Sequence, residues 1–103
     1  MTASLLAALA GCGGGKSGGA SDTAVTVADF SFAPTPLHVP RGATVAWTNS
    51  GHTDHTVKGR GFFSRAIDPG ASYRHRFDKP GTYAYICTLH PDQMRATVVV
   101  APR

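Results

Sequence analysis

Cysteine is scarce in this chain, with Cys12 and Cys87 the only two in 103 residues. That excludes a scaffold stapled by several disulfides. Charge is sparse as well, at 16% Asp, Glu, Lys and Arg. The cations are scattered, among them Arg41, Lys58, Arg60, Arg74, Arg76 and Arg95, and no block of five or six like charges occurs. A dedicated nucleic-acid arm is therefore not expected. No apolar run is long enough to span a bilayer, no helical stripe of useful length is present, and there is no internal repeat. No nucleophile triad or carboxylate pair stands out, so nothing here calls for an enzyme.

What is present points to one compact β domain. The length suits a single core. Gly (12) and Pro (7) are plentiful, which favours short strands joined by turns. The net charge of +4 describes a solvated basic surface and leaves an acidic redox partner or an anionic membrane as possible neighbours.

The first twelve residues read as a separate piece. Leu5, Leu6 and Leu9 among alanines form a short apolar stretch like the core of a secretory signal. No Lys or Arg precedes it, so the usual basic start is missing. Leu9-Ala10-Gly11-Cys12 resembles a bacterial lipobox, which makes Cys12 the expected lipidation site. Residues 13–22 form a Gly/Ser linker too polar to bury a core. A leash of about ten such residues reaches roughly 15–20 Å. The folded domain is then expected over residues 23–103. With Cys12 lipidated, Cys87 is an unpaired thiol in an exported protein, a hazard that a bound metal removes.

From Thr23 onward the hydrophobic pattern has a period of two. Val25 and Val27 share a face, and Phe30 and Phe32 continue with shifted parity, which predicts a bulge near Asp29. Pro34 and Pro36 break the strand. Leu37–Val39 and Thr44–Asn49 follow, the latter with Val45 and Trp47 on one face. A polar loop over 50–54 leads to an extended segment at His55–Lys58, and 59–70 reads as irregular. Tyr73, His75 and Phe77 alternate with polar neighbours. Tyr83, Tyr85 and Cys87 face one way, and Ala96, Val98 and Val100 point inward. The pattern predicts an all-β sandwich of about seven to eight strands with loops clustered at its ends.

Chemistry concentrates in the last loop, Cys87-Thr88-Leu89-His90-Pro91-Asp92-Gln93-Met94, where three soft or borderline donors fall within eight residues. His55, after the polar loop, is the expected fourth. A thiolate, two imidazoles and a thioether suit copper in a trigonal His₂Cys site with a weak axial Met. Structural zinc recruits more thiolates. His52 is the rival ligand, His38 and His75 lie in strand runs with no metal role, and Asp54 is placed to orient His55 or to face water. Asn49 is the expected brace of the ligand loops through side-chain to backbone hydrogen bonds.

The chain resembles the cupredoxin (type 1 blue-copper) family, most closely its amicyanin and plastocyanin branch. The likeness is carried by Phe30-Ser31-Phe32-Ala33-Pro34, Val39-Pro40-Arg41-Gly42, Val45-Ala46-Trp47-Thr48-Asn49, His55-Thr56-Val57, Phe77 to Tyr85 and Cys87-Thr88-Leu89-His90-Pro91. It implies a Greek-key sandwich, one copper ion with His55, Cys87 and His90 equatorial and Met94 axial, and one-electron transfer through a port at His90. The three residues between His90 and Met94 depart from the two of amicyanin-like and the four of plastocyanin-like loops, so a backbone carbonyl or Gln93 competes as axial donor. The expected setting is the bacterial cell envelope, with a lipid-anchored, monomeric carrier exchanging electrons with redox proteins. Copper delivery, storage or resistance is the alternative use of the same ligands. With Met1 and Met94 its only methionines, the chain lacks the Met-rich clusters that such work favours.

Overall fold

The computed structural model describes residues 23–102. The expected signal, the Cys12 lipidation site and the linker lie outside the described residues. Nine strands form in chain order: β1 (Ala24–Ala28), β2 (Ser31–Ala33), β3 (Leu37–Val39), β4 (Thr44–Asn49), β5 (Lys58–Gly59), β6 (Phe62–Phe63), β7 (Ser72–Arg76), β8 (Gly81–Ile86) and β9 (Arg95–Val100). No helix occurs among the described residues. One sheet has the order β2-β1-β4-β7 and the other β3-β9-β8-β5-β6. Both are mixed, because β1 pairs parallel with β4 and β3 parallel with β9. This is the expected all-β Greek-key sandwich.

Alternation explains which residues enter the core. Val25 and Val27 of β1, Val45 and Trp47 of β4, and Ala96, Val98 and Val100 of β9 are all buried between the sheets. Trp47 sits at the centre, with its ring 5.5 Å from Tyr85 and 5.8 Å from Phe62. Each buried Val or Phe side chain contributes about 1.5–3 kcal/mol to holding the sheets together.

Two local expectations are corrected. The parity shift after Val27 is not a bulge within one strand. β1 and β2 pair antiparallel with Ala28 opposite Ser31, so Asp29 and Phe30 are the two residues of a hairpin turn. Phe30 has a φ of 74°, the left-handed value that the second central position of a type II turn requires. The turn reverses the chain, which puts Val27 and Phe32 opposite each other on the core face. The stretch 59–70 is not wholly irregular either. Arg60-Gly61 turns β5 onto β6, and β5 also pairs with β8.

Candidate metal centre

Three donors meet at the end of the sandwich where β4 and β8 finish and β9 begins. Cys87 Sγ lies 3.8 Å from His55 Nδ1 and 3.8 Å from His90 Nδ1, and all three donor atoms lie within 4.8 Å of one another. Metal–S and metal–N bonds of about 2.3 and 2.0–2.1 Å, set at 120° around one ion, separate sulfur from nitrogen by about 3.8 Å. The spacing lets all three donors hold one ion, and a thiolate with two imidazoles suits copper.

Each donor is held by backbone register. His55 exchanges two backbone hydrogen bonds with Ile67, N–H to O at 3.3 Å and O to N–H at 2.7 Å, which fixes it in an isolated bridge. It is fully buried. Cys87 follows β8 directly. Arg95 pairs with Ile86 and Ala96 with Tyr85, and the Cys87 N–H donates to the Met94 carbonyl at 3.1 Å. Met94 therefore stands opposite Cys87 on the inward face of the hairpin, and both side chains are fully buried. The loop between them closes on itself, with the His90 and Met94 N–H groups donating to the Cys87 and His90 carbonyls at 3.2 and 3.0 Å. Gln93 is exposed. His90 is half-buried and carries the site to the surface.

The surroundings favour a thiolate. Burial pushes the Cys87 thiol up, but the Thr56 N–H at 3.4 Å from Sγ, the His90 imidazole and the Leu89 N–H outweigh it and bring it down to about 6. The Thr56 hydroxyl also accepts from the Thr88 N–H at 2.7 Å, tying the His55 segment to the Cys87 loop.

Asn49 is fully buried. Its amide donates to the carbonyls of Thr53 (2.9 Å) and Ile67 (2.8 Å), and its Oδ1 accepts from the Gly51 N–H (2.8 Å). It thus joins the 50–54 loop to the bridge that holds His55. His52 is outside the donor cluster, because its ring is 93% exposed and faces Asp29. Asp54 is exposed and does not orient His55.

The orienting carboxylate is Asp29, which sequence reasoning placed in a strand. Its Oδ1 lies 3.0 Å from His55 Nε2. It also accepts from the His52 N–H (3.0 Å) and from the Thr53 N–H (3.3 Å) and hydroxyl (3.1 Å). These bonds, His55 foremost, hold its carboxyl well below the usual carboxylate range. Phe30, beside it in the turn, sets its ring edge-on to His90 at 5.0 Å and is 48% exposed. The parity break at Asp29 was the only sign in the sequence that these two residues leave the strand face.

An antiparallel–parallel sandwich that gathers two imidazoles and a thiol at one end defines a small metal-binding β domain. Residues 1–100 match the model of the cupredoxin-like domain family. Amicyanin-alpha of Methylorubrum extorquens is 35% identical over 88 residues, covering 79% of this chain and 73% of that protein. Plastocyanin of Scenedesmus fuscus is 30% identical over 83 residues, covering 67% and 85%. The structure of a purple cupredoxin from Nitrosopumilus maritimus superposes with a TM-score of 0.74 at 25% identity, covering 78% of this chain and all of that one. The chain belongs to the cupredoxin family.

Proposed function

We propose that this protein carries single electrons on one copper ion that His55, Cys87 and His90 would hold, with Met94 as the fourth donor. The observation that carries this reading is the pair of 3.8 Å sulfur–nitrogen separations in a site whose fourth wall is the buried Met94. Copper supplies the one-electron couple. The chain's own part is to hold the donors still, since a site that keeps its geometry in both oxidation states lowers the reorganisation that accompanies transfer. His55, Cys87 and Met94 are sealed from water and fixed by strand register. Cys87 is kept as a thiolate by the Thr56 and Leu89 N–H groups and the His90 imidazole. His90 alone reaches the surface, in an apolar rim of Phe30, Leu89 and Pro91 that a partner can dry on contact. Four protein donors leave no open position for a substrate, which supports a carrier over an enzyme.

The lipobox-like Leu9-Ala10-Gly11-Cys12 and the net charge of +4 support a further proposal, that the protein works in the bacterial cell envelope, tethered through Cys12, as a monomer on redox proteins, some of them acidic or membrane-bound. The test is electron self-exchange of the copper-loaded protein. A carrier exchanges electrons rapidly between its two states and keeps its copper in the presence of an acceptor protein or chelator. Slow exchange with ready loss of copper would instead assign the site to copper delivery or storage.

A further inference from the structure

Among the described residues, Asp29 is the one charged group that touches a metal donor from outside the donor set. It lies 26 residues before His55, in a turn that nothing in the ligand loops requires. Its carboxylate is shared among the His52 and Thr53 backbone N–H groups, the Thr53 hydroxyl and His55 Nε2. The His52 ring contributes a further contact at 3.2 Å. A carboxylate can only accept, so His55 must carry its proton on Nε2 and turn the bare Nδ1 toward Cys87. The fold makes room for this approach. A Cβ at Gly51 would stand 2.8 Å from the Asp29 backbone nitrogen and closer still to its carboxylate. Phe30 takes a left-handed φ that disfavours a bulky side chain, so the turn is held in place against its own local preference.

We propose that Asp29 is a positioning residue that fixes the His55 tautomer and, through the same hydrogen bond, biases the copper couple toward its oxidised state. It rests on the copper-carrier reading for its second half and on the protein alone for its first. A carboxylate bonded to the outer nitrogen of a metal-bound imidazole makes that imidazole a stronger donor. A full negative charge one ring away from the ion also favours the higher cationic charge over the lower. Both effects act in one direction, lowering the reduction potential.

Two measurements on the full chain decide the matter. In the metal-free protein, nitrogen-detected NMR of the neutral His55 ring reads the tautomer directly. The expected result is a proton on Nε2, protected from solvent exchange. A ring protonated on Nδ1, or an Nε2 proton exchanging as freely as that of His52, would overturn the proposal whether or not copper binds. In the copper-loaded protein, Asp29→Asn removes the charge while keeping an acceptor oxygen. The expected change is a potential raised by the equivalent of at least tenfold in the oxidised-to-reduced ratio, about 59 mV for one electron. Asp54→Asn is the control. It removes an equal charge from the residue next to His55 that makes no bond to its ring, and its effect is expected to be less than a third as large. A potential shift under twofold for Asp29→Asn, or equal shifts in the two variants, would contradict a role through the hydrogen bond. Loss of the copper–thiolate band in the wild-type protein would sink the carrier reading and leave the tautomer result standing.

Discussion

Cys87 is the residue on which the site's chemistry turns, and its environment makes a measurable statement about pH. The folded protein holds it as a thiolate from about pH 6 upward, whereas an unperturbed thiol needs a pH near 9. Between those values the unfolded chain binds the extra proton, so Cys87 adds stability that grows as pH rises from about 6 to 9 and is lost as pH falls through 6. Urea unfolding of the metal-free protein across that range should show the rise, and Cys87→Ala should flatten it relative to wild type. An identical pH dependence in both would refute the lowered thiol. Tyr85, two residues earlier, presents the opposite case. Its hydroxyl and the Trp47 indole N–H are buried and make no well-formed hydrogen bond, and burial pushes the phenol up to about 12 against a weaker pull from the Trp47 indole. A buried polar atom left unpaired costs about 1–3 kcal/mol. Tyr85→Phe is therefore expected to leave stability unchanged or raise it by about 1 kcal/mol, read as a shift of the urea midpoint without a change of slope. A loss of 2 kcal/mol or more would mean that the hydroxyl has a partner.

At the scale of elements, two hairpins build the centre. The β8–β9 hairpin sets Met94 opposite Cys87 by continuing its ladder one pair past Ile86 and Arg95. The three-residue spacing from His90 is thus absorbed by the turns inside the loop, which keep the Met94 backbone paired with that of Cys87. The β1–β2 turn brings Asp29 and Phe30 over the two imidazoles. It depends on close approach at Gly51, so Gly51→Ala is expected to push the turn away and cost on the order of 1–3 kcal/mol. The same variant should free the Nε2 proton of His55 to exchange. Unchanged stability and exchange would show that the turn is not held by that contact. These hairpins also divide what could be read beforehand from what could not. Cys87, His90 and Met94 are close in sequence, and their donor chemistry is visible without a fold. His55 stood out as a donor at the start of an extended segment. Asp29 and Phe30 were not legible, because their parity fits either a bulge or a turn and only the Ala28–Ser31 pairing selects the turn. The β5–β6 hairpin escaped for a similar reason, since two-residue strands carry no period.

Across the whole molecule, the rigid sandwich separates two tasks. The core from Val25 to Val100 fixes strand register, and the donors at its end inherit that register. The surface is basic overall, at +4, while the rim around His90 is apolar. Long-range charge then governs encounter and the rim governs contact. Electron exchange with an anionic small-molecule oxidant should be faster than with a cationic one of equal driving force at low salt. The two rates should converge as ionic strength approaches 1 M, where charges more than about 3 Å apart are screened. Rates indifferent to the sign of the oxidant would contradict steering by the net charge. The carrier reading depends on a single copper–thiolate centre. The most direct measurement is the optical and EPR spectrum of the protein loaded with one equivalent of Cu(II), beside that of Cys87→Ala. An intense thiolate-to-copper band in the wild-type protein, absent from the variant, is the expected result. A colourless wild-type protein, or a band that survives loss of the Cys87 sulfur, would contradict the account.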